Sequence, residues 1–312
     1  MRTGILAAVC AVLGAVSAEA ATVTVDSAKA RLQRRADAMM GIMGFQVIPD
    51  ITTTSLSVND PTADSPDLIV SQLGAGFTIS ESFPLYLEGM LAYGRYDPRF
   101  VANDGAQNFV LPVKWNSVAL TASAGWDFRL SDKWKFRPMV SGTIGYLASD
   151  LKVLDFVADA WVGPDLDFLR GGSLKVWGAG GAAVLDYEDY TPAREIDVEL
   201  RYSALHLNSY GGAPSVQGDS TVGSLNLWAR WRAPISDWTA FNRPVRYALE
   251  LTYSEFLYDQ RGALGFDRLT SLGAGIELDL GESGLLERAR VMGRYVFGEN
   301  VSGFAVGFAV TF

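Results

Sequence analysis

The sequence predicts an all-β fold: a transmembrane antiparallel β-barrel of about twelve strands, preceded by an α-helix. Three observations predict it. From Gly44 to Phe312, segment after segment alternates apolar and polar residues with a period of two. After the first twenty residues there is no run of about 18 apolar residues, so any membrane crossing must be made by strands. Short turns alternate with long, polar connections, as in barrels with short turns at one membrane face and loops at the other.

Residues 1–20 read as a signal peptide. Arg2 gives the positive start, Ile5 to Val16 the apolar stretch, and Ala18-Glu19-Ala20 small residues for cleavage after Ala20. Cys10, the only cysteine, lies inside it, so close to 290 residues (312 minus 20) without a thiol are expected to follow. A lipoprotein acylated on Cys10 is disfavoured by the bulky Val9 and the little apolar sequence ahead of it. The segment carries one Arg and one Glu, so the remainder keeps the net charge of −9. An acidic exported chain is a poor partner for nucleic acid.

Residues 21–43 form the next unit. Val25, Ala28, Leu32, Ala36, Met39 and Met43 recur at helical spacing, with Asp26 or Ser27 as a cap. The opposite face is basic, with Lys29, Arg31, Arg34 and Arg35.

Residues 44–312 read as the barrel, with strands expected at 44–58, 68–79, 84–95, 112–130, 134–148, 173–187, 194–207, 221–233, 244–258, 267–280, 289–298 and 302–312. Pro49 interrupts the first of these. An even number returns both ends of the chain to one side of the membrane. Val118-Leu120-Ala122-Ala124-Trp126-Phe128-Leu130 shows the pattern: one face apolar, the other Thr121, Ser123, Gly125, Asp127 and Arg129. Since successive side chains point to opposite faces, one face suits lipid and the other a crowded, polar lumen. Tyr93, Tyr96, Trp115, Trp126, Trp134, Tyr146, Trp228, Trp231, Tyr253 and Tyr258 cluster near strand ends, where amphipathic rings favour the headgroup level. Gly178-Ala179-Gly180-Gly181 sits within a strand, where glycine eases curvature or close packing.

By the same parity the lumen receives Glu195, Asp197, Glu199, Glu250, Glu277 and Asp279, together with Arg129, Lys135, Arg137, Arg201, Arg246, Arg290 and Arg294. Mixed charges predict an internal ion-pair network rather than a filter of one sign. Two places are open to the basic helix: inside the lumen against the acidic wall, or in the periplasm.

The chain ends in Phe304, Val306, Phe308, Val310 and Phe312, alternating with Ala305, Gly307, Ala309 and Thr311. This stripe reads as a lipid-facing strand and an assembly signal. A helix, about twelve strands and a terminal phenylalanine together resemble the translocator domain of autotransporters, and the solitary autotransporter-like β-domain in particular. The resemblance implies an outer-membrane barrel of a Gram-negative bacterium, inserted by the barrel-assembly machinery and surrounded by lipid and lipopolysaccharide. It also implies a monomer with no cofactor, a structural or limited transport role, and a helix in the plug position. The sequence departs from the family in having some two dozen residues between signal and first strand, and no Asn-Asn or Asp-Asn pair in the helix.

The alternatives are a small-solute channel or porin, and a hydrolase embedded in the barrel wall. The only histidine, His206, projects outward, but the residue two along is Asn208 rather than a serine, and Ser209 falls on a loop. Asp259, Asp267 and Glu255 have no histidine in register. No phosphate loop, Cys/His metal cluster or dinucleotide fingerprint occurs, and the chain is expected not to be an enzyme.

Overall fold

A computed structural model describes residues 40–49, 55–58, 67–97, 99–103, 108–112, 114–149, 173–210, 218–240, 243–264, 266–280, 288–299 and 301–311. The basic residues Lys29, Arg31, Arg34 and Arg35, residues 1–20 and Phe312 lie outside these.

The described residues begin with helix α1 (40–47). The strands follow: β1 (Ser55–Val58), β2 (Asp67–Thr78), β3 (Leu85–Asp97), β4 (Arg99–Asn103), β5 (Asn108–Pro112), β6 (Trp115–Trp126), β7 (Phe128–Arg129) and β8 (Trp134–Ser149). Next come β9 (Ser173–Thr191), β10 (Arg194–Tyr210), β11 (Asp219–Ala240), β12 (Arg243–Tyr258), β13 (Arg268–Asp279), β14 (Arg288–Gly298) and β15 (Val301–Thr311). Twelve strands pair in the order β1-β2-β3-β6-β8-β9-β10-β11-β12-β13-β14-β15, every pair antiparallel. β7 resumes β6 beyond Asp127 and pairs with β8 in the same register. β4 and β5 make a separate hairpin within the connection from β3 to β6.

Stagger curls this sheet. One register row runs Tyr86, Gly125, Met139, Ala182, Ser203, Ser224, Phe256. It starts one residue inside β3 at the short-turn end and finishes two residues before the long-loop end of β12. Such shear tilts the strands and wraps a sheet into a barrel. The two ends of the sheet meet: β1 and β15 approach within 8 Å between Cα atoms. The fold is an antiparallel transmembrane β-barrel.

The outer face carries the apolar stripe. Leu73, Val140 and Phe308 are 75%, 69% and 81% exposed, which a soluble protein would not sustain over a whole wall. Of the aromatic residues, Tyr93, Trp126, Trp134, Tyr146, Trp231 and Tyr258 are exposed on it. Three others turn out otherwise. Tyr96 and Trp115 pack against the interior apolar cluster, and Trp228 donates its indole N–H to Glu250.

The predicted first strand is corrected. Residues 44–47, expected to be extended, are the end of α1, and among the described residues β1 covers Ser55–Val58. The physical reason is their surroundings. α1 is buried on every side and is apolar but for Gln46, and over four residues the Phe45/Val47 alternation cannot be told from a buried helix. β11 also runs further than expected, to Ala240, across a register shift between Pro234 and Thr239. Ser236 sits in that irregular stretch with φ 45°.

Candidate functional site

The lumen has two chemically distinct tiers. The tier at the long-loop end is apolar and holds α1. Met40, Met43, Phe45, Val47 and Ile48 are each no more than 2% exposed. They pack against Val70, Ala119, Leu147, Leu174, Val176, Leu205, Leu207, Val222, Phe256, Leu269, Val296 and Ala305, drawn from β2 and nine later strands. Burying each large apolar side chain contributes about 1.5–3 kcal/mol. The ring of Phe45 lies 4.6 Å from that of Phe256 and 5.9 Å from that of Phe266.

Polar wall residues answer the end of the helix. A helix leaves its last carbonyls without partners. Here Gln72 Nε2 donates to the carbonyls of Phe45 (2.9 Å) and Ile48 (3.4 Å), and Thr121 Oγ1 donates to that of Val47 (2.9 Å). Ser117 Oγ donates to Gln46 Oε1 at 2.8 Å. Small wall residues make room. A Cβ on Gly145 would overlap the Met43 methyl group, and one on Gly94 would overlap the Gln46 amide.

The tier at the short-turn end is ionic. Glu195 accepts from Arg232 (2.8 Å), Arg246 (2.5 Å) and Arg288 (2.6 Å). Asp197 accepts from Arg230 (2.9 Å) and Arg232 (3.2 Å), and also from the Tyr190 hydroxyl. Glu277 accepts from Arg232 and Arg290, both at 3.2 Å, and Arg246 reaches Asp279 at 3.7 Å. Glu250 takes Arg294 Nε and the Trp228 indole, each at 2.7 Å. Arg201 holds Glu88 through both guanidinium ends, at 2.7 and 2.9 Å, and lies 3.9 Å from Glu199. Arg137 pairs with Asp127, lies 3.7 Å from Asp186 and stacks over Tyr86. Lys135 meets Glu188 at 2.5 Å.

Two of these pairs span the lumen. β3 and β10 are separated by three strands in the sheet, yet Glu88 and Arg201 join them. β10 and β14 are also three strands apart, and Glu195 with Arg288 joins them. Charge-assisted pairs of this kind, largely out of water, are less screened than surface pairs.

Of the thirteen charges expected in the lumen, twelve have ion-pair partners there: Glu195, Asp197, Glu199, Glu250, Glu277, Asp279, Lys135, Arg137, Arg201, Arg246, Arg290 and Arg294. Arg129 does not join them. It is exposed at the short-turn rim, 3.8 Å from Glu81. Sequence reading missed Glu88, Arg230, Arg232 and Arg288. Arg230 and Arg232 share the parity of Trp228, which is opposite to that of the outward Trp231, so a single parity for β11 places all three in the lumen. Below this tier Lys133, in the turn before β8, bonds Asp189 at 2.9 Å, and that hydrogen bond raises the Lys133 ammonium above its ordinary range.

His206 faces outward, and its Nδ1 lies 3.1 Å from the Thr221 hydroxyl directly across β10 and β11. Ser209 instead accepts the Gly218 N–H, away from the imidazole. Among the described residues no cluster of His, Cys, Asp and Glu could hold a metal ion. On the outer face of β15, Phe304, Val306 and Phe308 are all exposed.

No protein-family model and no curated sequence matches the chain. Among solved structures it is similar to the β domain of the Bordetella autotransporter BrkA, with a TM-score of 0.48 and 15% identity, over 83% of this chain and 96% of that one. It is also similar to the translocator domain of the autotransporter NalP from Neisseria meningitidis (TM-score 0.41, 13% identity, 82% and 85% covered). A third is the toluene transporter TbuX of Ralstonia pickettii (TM-score 0.33, 12% identity, 78% of each chain covered).

Proposed function

We propose that this chain is an autotransporter-like outer-membrane barrel of a Gram-negative bacterium, with its own helix as the occupant of the lumen. Its role is structural or limited transport, and it is not an enzyme. The burial of α1 inside the wall carries this reading: Met40 and Met43 are fully buried and wall side chains bond the helix carbonyls. A lumen filled this way passes solute only when the helix moves aside.

The apolar outer wall supports residence in lipid and lipopolysaccharide. The exposed stripe of β15 supports recognition by the barrel-assembly machinery. A small-solute channel is the second reading. The charged tier favours it, since an ionic wall suits polar solutes once the helix has withdrawn.

Planar-bilayer recording tests the plug. Gln72→Ala with Thr121→Val removes the donors to the carbonyls of Phe45, Val47 and Ile48. The expected result is more frequent opening than in the unaltered chain, and an unchanged opening frequency would overturn the plug.

A further inference from the structure

The inference below rests on the plug reading. We propose that the turn after β12 (259–264), together with Phe266, is a latch that holds α1 in the lumen.

The turn is bent by unusual backbone. Tyr258 ends β12 with φ 56° and Gly262 has φ 69°, both in the left-handed region. A bulky residue such as tyrosine adopts that region at a cost, so other contacts must hold it. Asp259 supplies them. Its carboxylate accepts from the Thr221 N–H (2.8 Å) and the Ser220 hydroxyl (3.2 Å), and its own N–H donates to the Thr221 carbonyl at 3.0 Å. These three bonds pin the turn to the start of β11. Bonds from Gln260 to Leu257, Arg261 to Tyr258 and Ala263 to Gln260 close it internally.

The inner side of the turn presses on the helix. A Cβ on Gly41 would stand 2.8 Å from the Asp259 carbonyl oxygen. One on Gly44 would stand 2.8 Å from Val222 and 3.0 Å from Gln260 Oε1. Two glycines on α1 therefore let the helix backbone sit directly against the turn. Leu264 and Phe266 are buried beside it, and Phe266 completes a cluster of three rings with Phe45 and Phe256. Gln260 is 1% exposed, and its Oε1 finds no hydrogen-bond partner among the described residues. Burying a bare acceptor is unfavourable. The turn thus carries two internal costs, at Tyr258 and Gln260, and is restrained chiefly by Asp259 and the ring cluster. A segment held this way is poised to open, and opening it uncovers the helix from the long-loop side.

The test labels the buried helix in the full chain. Cys10→Ala removes the only cysteine and Met43→Cys places a thiol at a position that is 0% exposed. A membrane-impermeant maleimide should react slowly with it. Asp259→Ala should speed labelling at least about tenfold, equivalent to about 1.4 kcal/mol in the opening equilibrium. Gly262→Val should act the same way, because valine resists the left-handed region. Arg268→Ala is the control. It breaks an exposed pair with Glu299 at the start of β13, clear of the helix. Heat-modifiable migration in detergent gels confines the measurement to folded barrels. Unchanged labelling in Asp259→Ala, or equal acceleration in Arg268→Ala, would overturn the latch. Current recorded from the same variants judges the plug separately: faster labelling without added current supports the latch and overturns the plug.

Discussion

Arg201 leaves β10, crosses the lumen and grips Glu88, 113 residues earlier in the chain. Its side chain is 8% exposed and that of Glu88 11%, so neither charge has water to fall back on. Removing one partner of a buried pair leaves the other uncompensated and costs about 3–5 kcal/mol. Arg201→Ala should therefore lower the unfolding free energy of the barrel, read from urea titration, by an amount in that range. Arg201→Lys, which keeps the charge but loses the fork, should fall between. Arg268→Ala, removing one partner of a half-exposed pair, should change stability by about 0–1 kcal/mol. Comparable losses in all three would show that the lumen pair is no better shielded than the rim pair. Arg201 was legible as a lumen residue from parity alone, because its neighbours Leu200 and Tyr202 are apolar and face out. Its partner was not. Alternation says which face a side chain takes, but Glu88 meets Arg201 through the curvature of three intervening strands, and no local pattern records that.

Between elements, β14 and β15 show large fitted to small. The inner face of β15 is Gly303, Ala305, Gly307 and Ala309, and the inner face of β14 carries Arg290 and Arg294. In register, Arg290 stands beside Ala309 and Arg294 beside Ala305. The Arg294 guanidinium lies where a side chain on Gly307 would be. Gly307→Val should displace Arg294 from Glu250 and destabilise the barrel by about 1–3 kcal/mol, as overpacking does. In the Arg294→Ala background the same substitution should cost markedly less, and a thermal-unfolding double-mutant cycle reads the difference. Additive losses would mean that Gly307 is small for some other reason. The sequence shows the small residues of this strand plainly, since they alternate with Phe304, Val306 and Phe308, but not the arginine that makes them necessary. α1 shows the converse difficulty. Gly-Phe-Gln-Val at 44–47 alternates as a strand does, and only the wall around it (Val222, Phe256, Leu205) explains why so apolar a segment is helical here.

Across the whole molecule the two tiers lie in series, and each should govern a different property of the current. On the plug reading α1 closes the long-loop end as a body, so its departure should set how often the pore opens. Glu195 and Arg288 join β10 to β14 across the short-turn end, outside the contacts of the helix, so on the same reading this pair should set how much current flows once open. Arg288→Gln tests this division. Glu195 keeps Arg232 and Arg246, and Glu277 keeps Arg232 and Arg290, so neither carboxylate is stranded and the fold should survive. In single-channel records, Arg288→Gln should raise unit conductance while leaving opening frequency as it was. Gln72→Ala with Thr121→Val should do the reverse. Combining all three should give both changes together, because the sites occupy different tiers and share no partner. If Arg288→Gln instead raised opening frequency, the ionic tier would be holding the helix in place, and the two tiers would form a single gate.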